Sequence, residues 1–421
     1  MINVAFYLGN NTGSTVNAIN IENGNPGVGG TQYVMLLVAH YLSMKDRYKI
    51  TILSSREYIL PPPIDKSLFV SSIDDLFDAM DILNVDILIL REYSNEIAYQ
   101  IRNTNIKVIY WSHNYIDDSL CKFIASTPQV KCNVFVGKQQ YDSYADNDII
   151  KKSVCIYNIF NDKCSENRIN DSKTVVFLGS ITSKKGFLEV CRIWKGVVKQ
   201  VPNAILLVMG SGNLYGKGEL GKYGIAKAEF ERQCMPFITD KNGDIVDSIQ
   251  FLGIVGSDKE NYFRNASVGI INPSNLRETF GMGIVEMAAA QLPVVSRAKN
   301  GYYDTTIPGV TALLSHSLYD IQRDIVKLLR NYDLNVKLGH NAKRYITKFS
   351  PFNIMPHWQK LIDDVYNDSL DIEYDHYTSP LLCGFKPLVI LNRFFRFSIG
   401  LRFLPSIVDI EYFIKRIKRK I

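Results

Sequence analysis

The chain reads as an α/β protein built from two doubly wound domains whose parallel sheets face each other across a cleft, followed by a basic tail. Three observations predict this. The length of 421 residues exceeds what one hydrophobic core usually serves. Short apolar runs alternate with longer helical segments, a pattern that implies parallel sheets with helices on both faces. The pattern lapses over the polar, weakly periodic stretch 158–173 and then restarts, as expected at a linker.

In the first half, strands are predicted at 3–8, 49–53, 86–90, 107–111, 133–136 and 154–157. Segment 31–42 is apolar over most of its length and long enough for a packed helix, with Thr31 placed as its N-cap. In the second half, strands are predicted at 174–178, 204–209, 249–252, 268–271 and 293–295. Helices are predicted there at 187–199, 226–233, 283–290, 318–329 and 334–349. The domains are therefore expected at 1–160 and 161–350. A helix over 351–370 crosses back toward the first domain, and a tail follows over 371–421.

Composition narrows the function classes. The 46% hydrophobic content is ordinary for a globular protein. The seven cysteines are scattered, odd in number and free of Cys-x-x-Cys, which fits a reduced compartment and argues against a zinc site or disulfide framework. The N-terminus lacks a basic leader and reads as a first strand, and no apolar run is long enough to span a membrane. The net charge of +6 is concentrated: residues 381–421 hold nine Lys/Arg against Asp409 and Glu411. A nucleic-acid enzyme would spread its charge over the body. Instead Ile410, Phe413, Ile414, Ile417 and Ile421 fall on one helical face, with Lys415, Arg416, Lys418, Arg419 and Lys420 on the rest. That pattern suits contact of 384–421 with an anionic membrane surface.

The most informative segment is 274–286. It follows an apolar strand, passes Gly281 and Gly283, and opens a helix whose amide dipole faces the strand's carboxyl end, where open α/β sheets bind anions. Glu278 and Glu286 flank this turn. Ionised carboxylates accept hydrogen bonds and offer none, which makes them natural partners for sugar hydroxyls. Three further segments point to the same cleft. Gly29 and Gly30 lie in a glycine loop before the first long helix, where backbone can approach a phosphate or sugar closely. Lys184 and Lys185 precede a helix N-terminus, where cations do not help the helix and so suggest an anionic ligand such as a diphosphate. His113 ends an apolar strand. Two motifs are set aside. Asp146-Asn147-Asp148 has the form of a metal-binding Asp-x-Asp but sits in a polar stretch and reads as a surface turn. The segment 210–216 is a poor dinucleotide fingerprint, with its third glycine one place late.

Together these residues resemble the retaining glycosyltransferases of family 4 (glycosyltransferase group 1), which have the GT-B fold of two Rossmann-like domains. Glu278 and Glu286 are similar to that family's paired glutamates. Val176-Phe-Leu-Gly-Ser180 and Lys184-Lys-Gly186 look like its first strand and phosphate loop. Ile205-Leu-Leu-Val-Met-Gly-Ser-Gly212 looks like the next strand and turn, and Phe251-Leu-Gly-Ile254 like the base-contacting segment. Gly29, Gly30 and His113 match the N-terminal loop and histidine, and Ile156-Tyr-Asn158 the strand before the linker. The likeness covers roughly 1–368.

The resemblance implies a role for each residue. Glu286 would hold ribose hydroxyls, and Glu278 the donor sugar's 3- and 4-hydroxyls. Amides of Phe280, Gly281, Met282, Gly283 and Ile284 would meet sugar and phosphate, and Lys185 the departing diphosphate. His113 would approach the 6-hydroxyl. A nucleotide-sugar, UDP-linked before GDP-linked, would be the donor, with no metal and no other cofactor. The acceptor would be a glycan, lipid-linked in keeping with the tail, in cell-surface polysaccharide or lipopolysaccharide assembly at the cytoplasmic face of the membrane. One departure stands out: the family has an arginine after Gly179, and here it is Ser180, leaving Lys184 or Arg277 to supply the charge. Two other classes compete: a scaffold with a degenerate donor site, and a nucleotide-dependent oxidoreductase or epimerase.

Overall fold

A computed structural model describes all residues except 10–14, 65, 165–171, 213–218, 257, 275, 376–384 and 419–421. Cys383, most of the 210–216 segment and the last residues of the predicted tail helix lie outside the described residues. The chain divides into two compact units, Met1–Asn161 with Phe349–Ile421, and Asp162–Lys348.

In the first unit the strands are β1 Ile2–Tyr7, β2 Val16–Asn17, β3 Tyr48–Ser54, β4 Tyr58–Ile59, β5 Lys66–Phe69, β6 Ile87–Leu90, β7 Lys107–Ser112, β8 Val130–Phe135 and β9 Ser153–Cys155. The main sheet runs β5-β3-β1-β6-β7-β8-β9 with every pair parallel, and β2 and β4 form a separate small ladder. β6 is Ile-Leu-Ile-Leu, buried along its whole length, because a parallel sheet covered on both faces needs apolar side chains on both. In the second unit β10 Thr174–Leu178, β11 Ile205–Met209, β12 Ile249–Gly253, β13 Val268–Ile271, β14 Val294–Arg297 and β15 Ala312–Ser315 form a parallel sheet ordered β12-β11-β10-β13-β14-β15. Each sheet therefore has a topological switch point, beside β1 and β6 in one unit and β10 and β13 in the other. Ligands of doubly wound sheets bind outside the strand carboxyl ends at such points.

Several expectations shift in detail. The first long helix spans Gly30–Ser43 and its N-cap is Gly29, so Thr31 lies inside the first turn. The cause is Asn25, whose Oδ1 accepts from the amides of Gly27 (3.0 Å) and Val28 (2.9 Å) and turns the chain before the helix starts. The helix expected at 226–233 runs Ala228–Ile238, continuing through Pro236. Burial of Cys234 and Ile238 in the core carries the last turn past the proline. The helix Pro351–Tyr366 belongs to the first unit, where its Trp358 packs 4.3 Å from Trp111 on β7.

The largest correction concerns Asp146-Asn147-Asp148, which is not a surface turn. Asp142 and Asp146 are fully buried, and the acidic patch is where the C-terminal segment docks. That segment comprises the helix Lys386–Arg393, a π-turn Phe394–Ser398 and the helix Ile407–Lys418. Lys386 Nζ lies 3.1 Å from Asp142 Oδ2, and Arg396 Nη2 2.9 Å from Asp148 Oδ2. Asp146 Oδ2 accepts from Asn392 Nδ2 and from the Ile407 amide, both at 2.7 Å. Lys386 and Arg396 are thus turned inward, while apolar side chains face outward: Leu388, Leu391, Phe394, Phe403, Phe413 and Ile417 are all exposed. No helix among the described residues is long and apolar enough to cross a membrane.

Candidate functional site

At the switch point of the second unit, the loop after β10 meets the loop after β13. Two glycines make the meeting possible. Gly186 adopts φ +75°, and a Cβ there would stand 2.5 Å from the Ser274 amide nitrogen. Gly281 adopts φ +84°, and a Cβ there would stand 2.4 Å from the Tyr302 ring. Only glycine combines that conformation with that closeness. Lys184 and Lys185 sit in the 3-10 turn Ser183–Lys185, and Gly186 then caps the helix Phe187–Gln200.

The approach brings together residues distant in sequence. Lys185 Nζ lies 2.9 Å from Glu278 Oε2, and Asn272 Nδ2 donates to the same oxygen at 3.1 Å. Ser274 Oγ lies 2.6 Å from Asn272 Oδ1 and 3.1 Å from the Lys184 carbonyl, its single proton within reach of either, which ties the loops together. Glu286, in the first turns of the helix Met282–Ala289, pairs with Lys259 at 2.7 Å through Oε1. Each glutamate therefore commits one oxygen to a lysine. The other oxygen has no partner among the described residues. The two carboxylates can accept hydroxyl hydrogens, and the lysines and the helix start can receive an anion.

The remaining predicted residues fall as follows. Ser180 is buried, its Oγ 3.3 Å from Thr182 Oγ1. Lys184 is exposed, and its contribution to the loop is its carbonyl. Ile254 projects from the end of β12 with 66% of its surface exposed. Phe280 is buried, and the Ile284 amide is already used by the Gly281 carbonyl at 2.9 Å. The amides of Met282 and Gly283 begin the helix, where intrahelical acceptors are lacking. In the first unit, His113 follows β7, buried against Trp111 at 4.7 Å between ring centroids. Burial first, and then the charge of Arg91, push its pKa down to about 3, so it is a neutral imidazole. Gly29 and Gly30 begin the first long helix of the same unit.

Lys259, Asn272, Ser274, Lys299 and Tyr302 were not anticipated. Lys299 follows β14, is 7% exposed and donates to the Ser274 carbonyl at 2.8 Å. Burial lowers its pKa to about 7, Glu278 working against that shift and Lys185 with it. A lysine just past a strand's carboxyl end was the available signal, the same one that identified Lys184 and Lys185.

Residues 159–345 match the family model of glycosyl transferases group 1. A capsular polysaccharide biosynthesis glycosyltransferase, CapM, of Staphylococcus aureus is 28% identical over 205 residues, 48% of each chain. A lipopolysaccharide 1,2-N-acetylglucosaminetransferase of Salmonella typhimurium is 23% identical over 65% of this chain and 68% of its own. The match to CapM spans about half that relative's length. Among solved structures, a sucrose-phosphate synthase from Thermosynechococcus elongatus superposes with a TM-score of 0.65 at 15% identity, covering 88% of this chain and all of its own. Anabaena Alr3699/HepE in complex with UDP-glucose superposes with a TM-score of 0.63 at 11% identity, covering 86% of this chain and all of its own. These structures share the GT-B fold, two parallel-sheet domains.

Proposed function

With residues 159–345 a glycosyl transferases group 1 domain, we propose that the chain is a retaining, metal-independent glycosyltransferase using a nucleotide-sugar donor. The observation that carries this reading is the Lys185–Glu278 pair at the switch point of the second unit, with the Lys259–Glu286 pair on the helix that follows it. Glu286 Oε2 would accept from ribose hydroxyls and Glu278 Oε1 from the donor sugar. Lys185 would leave Glu278 for the diphosphate, with the amides of Gly281, Met282 and Gly283 beside it; the Ile284 amide has no capacity to spare. As the glycosidic bond breaks, negative charge gathers on the diphosphate and positive charge on the sugar ring. The lysine and the fixed amides are in place before that charge develops, which lowers the barrier. The leaving phosphate would take the acceptor's proton on the face it departs from, giving retention. A neutral His113 would offer the sugar a hydrogen bond without a competing charge.

The acceptor in this reading is a glycan carried on lipid, in cell-surface polysaccharide or lipopolysaccharide assembly. The support is the relatives named above and the C-terminal segment. Its exposed Leu388, Leu391, Phe394, Phe403, Phe413 and Ile417 adjoin a run in which the sequence supplies Lys415, Arg416, Lys418, Arg419 and Lys420. An anionic bilayer satisfies both, each cation near the surface contributing roughly 1 kcal/mol. UDP-sugars come before GDP-sugars as donors, since the solved relative HepE was seen with UDP-glucose. The test is turnover: protein is incubated with UDP-glucose, UDP-N-acetylglucosamine and GDP-mannose, and the anomeric proton of the released or transferred sugar is followed by NMR. The α-anomer forming first from one donor, with activity unchanged by EDTA, is the expected result. The β-anomer forming first would overturn retention, and dependence on added metal would overturn metal independence.

A further inference from the structure

We propose that Lys299 is the second cation of the donor site, a positioning residue that takes over from the arginine missing at Ser180 and acquires its proton when the donor's diphosphate arrives. This rests on the donor-site reading above and adds to it a residue that neither the paired glutamates nor the phosphate loop includes.

The argument begins with where Lys299 lies. Its side chain is nearly enclosed, its Nζ donates to the Ser274 carbonyl at 2.8 Å, and it sits 5.5 Å from the centre of the buried Tyr302 ring. Ser274 is the hub of the site, joined through its Oγ to Asn272 and to the Lys184 carbonyl. Asn272 in turn holds Glu278. The next residues press on the same loop: the Gly301 amide donates to the Glu278 carbonyl at 3.0 Å. Lys299 therefore reaches, through Ser274, both the loop that carries Lys185 and the loop that carries Glu278.

Its electrostatic surroundings complete the case. The groups acting on it are Glu278 and Glu189, which favour its charge, and Lys185 and Arg297, which oppose it; Tyr302 is neutral. In the unliganded site Glu278 is already neutralised by Lys185, so Lys299 has no carboxylate of its own. Burial then makes its proton easy to lose, and about 7 is where it balances. A diphosphate drawing Lys185 away from Glu278 adds negative charge and frees that carboxylate, and both changes raise the affinity of Lys299 for a proton. Its hydrogen bond to Ser274 survives either way, because an amine and an ammonium both donate. A permanently charged arginine would leave an uncompensated buried cation whenever the site is empty; a lysine with a mobile proton does not.

Calorimetric titration with UDP, GDP, ADP and CDP at pH 8.0, in two buffers of different ionisation enthalpy, measures the protons taken up on binding. At that pH a group with a pKa of about 7 is roughly 10% protonated, so uptake approaches about 0.9 proton if binding lifts it well clear. The expected result is uptake above about 0.5 proton for wild type with the nucleotide that binds. Lys299→Met should show uptake near zero and bind about tenfold more weakly, the loss expected of one charge-assisted contact. Lys299→Arg should recover most of the affinity with no uptake, and it carries the comparison should Lys299→Met fail to melt cooperatively. Lys184→Met and Arg277→Met should keep the wild-type uptake. Binding without uptake in wild type, or with unchanged uptake in Lys299→Met or Lys299→Arg, overturns this proposal and leaves the donor site standing. Binding of none of the four overturns both.

Discussion

Two groups of carboxylates and cations, one in each unit, are built from the same chemistry to opposite ends. In the C-terminal clamp the Lys386 and Asp142 side chains are 3% and 0% exposed. In the switch-point site Lys185 and Glu278 are 39% and 19% exposed, and Lys259 and Glu286 are 24% and 17% exposed. A pair sealed from water cannot be parted cheaply, because either partner left alone is a buried charge. A partly exposed pair can be parted more easily, since water or a ligand replaces the lost partner. The clamp fixes a fold; in the proposed function the switch-point pairs hold their places for a ligand.

The sharpest break of that contrast is in the clamp. Asp142→Ala should destabilise the first unit by about 3–5 kcal/mol, the cost of stranding a buried partner. Urea denaturation checks it, and Asp142→Leu with Lys386→Met together should return much of the loss. Next, Glu278→Gln should melt within a few degrees of wild type yet lose about 100- to 1,000-fold in transfer rate, as for removal of one preorganised group. If it lost stability and kept turnover, the two regions would have exchanged roles. Gly281→Ala combines φ +84° with a 2.4 Å approach to Tyr302. It should cost about 1–3 kcal/mol and displace Glu278, so that both melting temperature and rate fall.

How far these regions were legible in the sequence differs for a physical reason. Strand positions and the loops at strand ends followed from apolar periodicity; Lys185 stood out as a cation at a helix start, and Glu278 and Glu286 as carboxylates flanking a glycine turn at a strand end. Lys259 and Lys299 were missed because their partners, Glu286 and Ser274, are joined to them only by the packing of separate βα units. The clamp was misread for the same reason, carried further: a polar Asp146-Asn147-Asp148 stretch looks solvated until residues more than two hundred positions later fold onto it. Local pattern reports which side chains are out of place, and only tertiary structure reports what they are in place for.

A smaller effect sharpens the picture at Lys299. Its pKa is near 7 when folded and returns to about 10.4 in the unfolded chain, so between those values the unfolded chain binds more protons. Wild type should therefore gain stability relative to Lys299→Met as pH rises from 7 toward 9, and the gap in its favour should be smallest at pH 6. Chemical denaturation of both proteins across pH 6–9 reads this directly, and a flat difference would remove the buried proton from the account.

The central claim is that the partly exposed glutamates of the second unit are held open for a nucleotide-sugar. A thermal-shift panel of UDP, GDP, ADP, CDP and NAD on wild type, Glu286→Ala and the clamp variant Asp142→Asn addresses it most directly. The account predicts stabilisation of wild type by one nucleoside diphosphate, lost in Glu286→Ala and kept in Asp142→Asn. Stabilisation by NAD alone, or an equal shift in wild type and Glu286→Ala, would contradict it.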